Sequence, residues 1–462
     1  MQFDIAIRNG TVVAAGGTYR ADVGVVGERI VALGDCVSGS CEVDATGCYV
    51  LPGGIDPHVH LQMSQGAYVS ADDFASGTIA AACGGTTTVI DFVEPAEGDG
   101  LLDALQSRRE EADHSVSVDY SLHMTIPAWH ADRATTATEI EDAIDAGCTS
   151  FKLYLAYSGL QLDDVQLYRV LGWLTGLGGL PMVHCENGPL CDELRTRAVA
   201  AGRSGPGNHA LTRPPRQEAE ATGRAIDVAA LAGSPLYVVH VSCAESLDRI
   251  SMAKRRRELV YGETCPQYLF LQHDALDEAL GERLVCAPPL RTCADNDALW
   301  RALATGALDA LGTDHCPFST SEKLGHADFT TIPGGLPSIE ARLGLAYDGV
   351  NYGWFSLERW VAMCCTGPAR IFGLTRKGQI APGFDADLVV FDPMWERTII
   401  AGETLHERVD WSPYSGRRLR GWPRDVFLRG RQIVRCGEFV GAADWGRFVT
   451  RCRSAAFEGR VV

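Results

Sequence analysis

The 462-residue chain contains no run of 18 or more apolar residues, which argues against a transmembrane helix. It has no excess of positive charge, since 41 Lys and Arg face 59 Asp and Glu for a formal net charge of −18. A nucleic-acid binder normally carries a basic patch, so no nucleic-acid partner is expected and the charge reads as a solvated acidic surface. Met1–Ile5 lacks the basic region and apolar core of a secretory signal. No Cys-x-x-Cys pair occurs among the 16 cysteines, and several, such as Cys83, Cys148, Cys243 and Cys286, sit in apolar stretches. Free thiols in a reducing cytoplasm are therefore expected rather than bridges. There is no internal repeat of about 20–50 residues and no low-complexity tract.

What remains is the composition of a globular enzyme, 46% hydrophobic and 22% charged. The first fifty residues read as short strands broken by Gly and Asn turns: 4–8, 11–14, 21–26 and 29–33. A matching pattern returns at 387–391 and 425–434, the latter turning at Arg429-Gly430-Arg431. Residues 1–52 and 378–441 are thus expected to form one small β-sandwich from both chain ends. Between them, in 53–377, apolar strand-like runs alternate with helical patterns, such as 139–146 and 216–232, the signature of an α/β parallel sheet. Eight strands are expected, at 54–61, 86–93, 119–126, 150–157, 180–187, 235–242, 259–266 and 308–316, which is the count of a (β/α)8 TIM-type barrel. Residues 442–462 read as a tail and a candidate subunit contact.

Residues able to bind metal cluster near the ends of those strands. His58 and His60 are two apart, so a strand projects both to one face, where they can reach one metal. His184 and His240 each follow an apolar run; taken alone, each reads first as a satisfied core histidine. Asp314 follows Leu311-Gly312-Thr313, where a carboxylate is costly unless paired or metal-bound. Lys152 lies in Phe151-Lys152-Leu153-Tyr154, and an unpaired ammonium is seldom buried. It can snorkel to the barrel mouth, pair with a carboxylate, or add CO2 to become N6-carboxylysine, an anion able to bridge two cations. With two divalent ions, this carbamate, Asp314 and a hydroxide leave one positive charge to polarise a carbonyl. Four histidines, one lysine and one aspartate placed this way form a specific pattern.

These residues, with Pro52-Gly53-Gly54-Ile55-Asp56-Pro57-His58-Val59-His60, Gly84-Gly85-Thr86-Thr87, His184-Cys185-Glu186-Asn187, His209 to Pro215, His240-Val241-Ser242 and Gly312 to Phe318, resemble the dihydropyrimidinase/hydantoinase family of cyclic amidohydrolases. The resemblance runs from about Ile5 to Gly441. It implies a two-metal hydrolase, usually with zinc, in which His58, His60 and Asp314 hold one ion, His184 and His240 the other, and carboxylated Lys152 bridges them. It further implies a bridging hydroxide that attacks a ring amide, Asp314 as general base and then acid, and Tyr157 as donor to the oxyanion. A homotetramer is implied by the family alone.

Two positions depart from the family. Main-chain groups that hold the imide, at a serine before Pro-Pro and an asparagine in Ile-Pro-Asn-Gly, fall here on Ala287 and Gly334. Gln62 replaces the acidic residue of many bacterial hydantoinases, as it often does in dihydropyrimidinases. Lid loops are expected at 62–72, 93–101 and 157–163, with Met63, Tyr68, Val93 and Leu160 lining the substituent pocket and Glu94 facing solvent or a polar substituent. The implied substrate is a small cyclic ureide, a dihydropyrimidine or 5-substituted hydantoin, opened to an N-carbamoyl amino acid. The alternatives are allantoinase, dihydroorotase, or a non-catalytic scaffold of the same fold. The last typically lacks the metal ligands that are all present here, and no arginine closely follows His60 as a dihydroorotase would need.

Overall fold

The computed structural model describes residues 3–35 and 38–457. Its centre is eight parallel strands, each beside its neighbour in sequence: Gly54–Val59, Thr86–Val93, Asp119–Thr125, Ser150–Tyr154, Leu180–His184, Leu236–Val238, Val260–Thr264 and Ala310–Leu311. A parallel bridge between Val59 and His315 brings the end of the eighth strand back to the first. Main-chain bonds from Asp314 N–H to the His58 carbonyl, 2.9 Å, and from His60 N–H to the His315 carbonyl, 2.8 Å, complete that seam. The expected eight-stranded barrel is present.

The strands are buried on both faces, as helices around a parallel barrel require. Helices Thr136–Asp145 and Pro215–Leu231 fall within a few residues of their expected positions. The helix Asp164–Leu177 shows how the intervening segments are delimited. Asp163 and Gln166 form a reciprocal capping box at its start, and Gly178 adopts φ 84° at its end. The sixth and eighth strands are shorter than expected because the chain leaves the extended conformation after them, with φ 39° at His240 and 54° at Asp314.

A four-stranded sheet of Phe3–Arg8, Asp22–Val26, Arg29–Gly34 and Gly39–Asp44 faces a seven-stranded sheet drawn from both ends of the chain. Ile5, Ile7 and Val23 of the first meet Val12, Val50, Leu388, Val390 and Phe427 of the second in one core. In the larger sheet Tyr49–Pro52 pairs antiparallel with Leu388–Thr398, matching Leu51 to Val389. The expected hairpin turn is there too: Arg429 and Gly430 take φ 46° and 74°, the pattern of a type I′ turn.

The final segment packs on this chain's own barrel. Val449 N–H donates to the Tyr120 carbonyl at 2.7 Å and Arg451 N–H to the Gly147 carbonyl at 3.1 Å. The buried Arg451 guanidinium reaches Ser150 Oγ at 2.6 Å, so the tail crosses the floor formed by the strand starts. The described cysteines are free thiols, including buried Cys83, Cys148, Cys243 and Cys286. No helix among the described residues is long and apolar enough to cross a membrane.

Candidate active site

At the opposite, C-terminal end of the barrel the polar residues singled out above converge. His58 Nε2 lies 3.2 Å from His60 Nε2, and Asp314 Oδ1 lies 3.2 Å from the first nitrogen and 3.1 Å from the second. These three side chains offer ligand atoms close enough to share one ion. Beside them, His184 Nδ1 faces His240 Nε2 at 2.9 Å, and the His58 and His240 rings are 5.5 Å apart between centroids.

Buried carboxylates set the tautomers. His58 Nδ1 donates to Glu263 Oε1 at 2.5 Å, and His184 Nε2 donates to Glu186 Oε2 at 3.0 Å. Each ring therefore turns its lone pair inward, as metal-binding imidazoles do. Glycine at 312 makes room for the first pair, because a Cβ there would lie 2.8 Å from Glu263 Oε2 and 3.1 Å from His58 Cβ. With His60 Nε2, His240 Nε2 and the Asp314 carboxylate facing these lone pairs at 2.9–3.2 Å, the donor set fits a divalent metal centre.

Lys152 sits in the fourth strand, 1% exposed, with Nζ 5.0 Å from the Phe92 ring centre and 5.3 Å from that of Tyr154. It does not snorkel to solvent, and among the described residues it makes no ion pair with a carboxylate. Burial pulls its amine down to about 8, against the opposing pull of Asp314, Glu263 and Glu94. The Asp314 carboxyl shifts the other way. Burial pushes it up, but His58, His60 and His240 hold it well below the usual carboxylate range. Burial, with the neighbouring charge of His184, lowers His240.

Backbone strain collects here as well. Tyr157, His240 and Asp314 adopt φ 73°, 39° and 54°, a region costing non-glycine residues on the order of 1–3 kcal/mol and found preferentially at functional sites. In this conformation the Tyr157 ring stands 5.0 Å from the His184 ring, with the Arg213 guanidinium 5.5 Å above it. Burial raises its phenol, so the hydroxyl remains protonated at neutral pH.

These groups open into a cavity of about 560 Å³ lined by Met63, Tyr68 and Leu160, as expected, and by Ala287 and Gly334. Val93 does not line it. Side chains alternate along the second strand, so Phe92 packs 4.6 Å from the His60 ring while Val93 points into the core outside the barrel. Glu94 opens to the cavity at the strand end, 3.4 Å from the Tyr154 hydroxyl. Surrounding protein raises its carboxyl. Of the expected lid loops, 62–72 forms a hairpin, Ser64–Gln65 with Tyr68–Val69, and 157–163 contributes Tyr157 and Leu160. From 93–101, only Glu94 reaches the cavity.

Sequence reasoning did not assign roles to Glu186, Glu263, His209 or Arg213. Arg213 pairs with Glu186, which also accepts from Gln217 Nε2 at 2.9 Å, and His209 Nε2 donates to the Cys286 carbonyl at 2.8 Å. A glutamate inside the apolar run Val260–Thr264 was the one available signal, of the same kind that drew attention to Lys152. Phe329, Thr330 and Thr331, which extend the wall formed by the Ile332–Gly335 stretch, carry no such signal in the sequence.

Comparison with known proteins accounts for the arrangement. Residues 49–167 and 220–433 match the amidohydrolase family. The chain is 44% identical to D-hydantoinase of Geobacillus stearothermophilus over 97% of both chains. The solved D-hydantoinase of Bacillus sp. AR9 superposes with a TM-score of 0.94 at 46% identity, covering 97% of this chain and 99% of that one. Dihydropyrimidinase of Brevibacillus agri NCHU1002 gives 0.95 at 44% identity, with the same 97% and 99% coverage. The chain therefore belongs to the amidohydrolase family, in its hydantoinase and dihydropyrimidinase branch, and is a cyclic amidohydrolase whose family membership implies a divalent metal centre.

Proposed function

We propose that this enzyme opens a cyclic ureide, a dihydropyrimidine or a 5-substituted hydantoin, to the N-carbamoyl amino acid. The observation that carries the reading is the convergence of four imidazoles and Asp314 around a buried lysine that makes no ion pair among the described residues, at the floor of the cavity. His58, His60 and Asp314 would hold one ion, His184 and His240 a second, and Lys152, carboxylated by CO2, would contact both. Nitrogen-rich ligation supports zinc. When bound, such ions supply Lewis-acid polarisation of the amide carbonyl and a water of lowered pKa.

The chain's own groups do the rest. Asp314 accepts a proton from the attacking water and returns it to the ring nitrogen as the C–N bond breaks, a base and then an acid. Tyr157 donates its hydroxyl proton in a hydrogen bond to the carbonyl oxygen as charge develops there. Main-chain groups at Ala287 and Gly334 hold the far edge of the ring, and the hairpin at 62–72 limits the entry of water. Arg213 cannot serve as a free cation for a substrate carboxylate, because Glu186 already neutralises it. The free buried thiols support the cytoplasmic expectation. We further propose 1–52 and 378–441 as the small β unit, 53–377 as the hydrolase barrel, 442–462 as the tail, and a homotetramer as the assembly.

The test is turnover by zinc-loaded protein, supplied with bicarbonate, on dihydrouracil, 5-phenylhydantoin, allantoin and dihydroorotate. Turnover of the first two with little of the others is expected. Silence on the first two with two metals bound would overturn the substrate reading.

A further inference from the structure

The hairpin over the cavity is latched to the opposite wall by a single side chain. Gly334 N–H donates to Gln65 Oε1 at 2.7 Å, and Gln65 Nε2 donates back to the Gly334 carbonyl at 3.1 Å. One carboxamide thus covers both main-chain groups of one cavity-wall residue. A ring amide is locked cis, so its C=O and N–H lie side by side on one edge, as do the oxygen and nitrogen of a carboxamide. The Gly334 edge therefore already accepts a small amide in the geometry a cyclic ureide presents.

The two sides of this contact differ in freedom. Lys323, fully buried, donates to the Pro333 and Val285 carbonyls at 2.7 Å each. Gly335 N–H adds a third tie, to the Val285 carbonyl at 3.0 Å, so the wall is fixed on both flanks of Gly334. Gln65 by contrast rides on a hairpin of two-residue strands with exposed Ser64, Gly66 and Ala67. Gln65 is the partner that moves.

We propose that Gln65 is an internal competitor for the substrate's amide edge: its carboxamide occupies the Gly334 main chain in the free enzyme and is displaced when the ring binds. The proposal rests on the cyclic-ureide reading of the site. It makes Gln65 a determinant of apparent affinity, because substrate binds only the fraction of molecules in which the latch is open.

The experiment compares the zinc- and bicarbonate-loaded wild type with Gln65→Ala and Gln65→Leu, the second preserving bulk without the hydrogen bonds. Removing two neutral hydrogen bonds should lower KM for 5-phenylhydantoin roughly five- to tenfold, with kcat within about twofold. Exchange of the Gly334 amide hydrogen in the substrate-free enzyme should accelerate in both variants. A KM that rises in both variants would make Gln65 a substrate-binding group and overturn the proposal. An unchanged KM, or unchanged Gly334 exchange, would make it a bystander and overturn it too. If the wild type turned over no cyclic ureide while Gly334 exchange still accelerated, the failure would lie in the substrate reading. That result is distinct from a failed latch, in which the wild type is active and KM does not move.

Discussion

Replacing Glu263 by glutamine changes one heavy atom and one charge beneath the proposed metal ligands without altering side-chain shape. In the wild type its carboxylate accepts from His58 Nδ1 at 2.5 Å and from the Tyr237 hydroxyl at 2.9 Å, and neither Glu263 nor His58 is exposed. No solvent screens the pair, so its full effect reaches the imidazole. Glutamine can still accept the Nδ1 proton and so keep the tautomer, and its NH2 can donate to the Tyr237 oxygen, so the fold should survive. What disappears is the negative charge that makes His58 Nε2 a strong donor. Losses of this type weaken metal binding by about 10–100-fold, equivalent to about 1.4–2.8 kcal/mol. The assay strips metal from both proteins, reloads them with bicarbonate, and titrates zinc against a competing chromophoric chelator. Turnover is then measured at saturating zinc. We expect weaker binding, substantial recovery of turnover by excess metal, and metal-free melting close to wild type. Wild-type zinc affinity in Glu263→Gln would refute the argument that this carboxylate tunes a metal-binding imidazole.

Other tests address separate parts of the molecule. Tyr157→Phe should lower kcat by roughly 10²–10³, as for loss of one oxyanion donor, with metal content unchanged; wild-type kcat would reduce Tyr157 to a packing residue. Only the neutral amine of Lys152 adds CO2, and its pKa of about 8 makes the neutral fraction rise about tenfold from pH 7 to pH 9. Reactivation of stripped protein at constant dissolved CO2 should accelerate to match, and a flat or falling rate would remove Lys152 carboxylation from the activation step. Lys377 Nζ lies 2.7 Å from Asp119, 3.3 Å from Asp385 and 2.6 Å from Asp387, all buried. Lys377→Met leaves those carboxylates short of a cation and should cost about 3–5 kcal/mol in chemical denaturation, whereas an unchanged unfolding midpoint would show the cluster to be balanced without it.

The barrel was legible because its strands are continuous apolar runs separated by helical periodicity, a local signal. The candidate ligands were legible for a different reason: His, Asp and Lys stand out against apolar surroundings. Less visible was where each strand stops. The run Leu308–Cys316 reads as one strand, yet the ladder ends at Leu311 and Asp314 turns to positive φ, a choice made by the barrel seam rather than by local propensity. Val93 was misplaced because period-two alternation, applied from Phe92, sends it outward. The pairing of His58 with Glu263 joins residues 205 apart, and that of Arg213 with Glu186 spans 27. No spacing rule links such residues until the strands are side by side.

The pairing of Tyr49–Pro52 with Leu388–Phe391 has a consequence for how the molecule is made. Pro52 and its partner Leu388 are 336 residues apart. At about 5–20 residues per second, roughly 20–70 s separate their synthesis. Throughout that interval the Val50–Leu51 strand is paired on one edge only, to Thr11–Ala14, and the first sheet has only the N-terminal part of its second layer to cover it. The barrel must therefore be built while its companion unit is half made and sticky, and the floor is sealed only when Val449 and Arg451 arrive. Premature termination just before Leu388 is thus far more damaging than its distance from the proposed metal ligands suggests: it leaves a barrel attached to a small β unit that lacks the strand pairing with Tyr49–Pro52, a species suited to aggregation and to capture by chaperones.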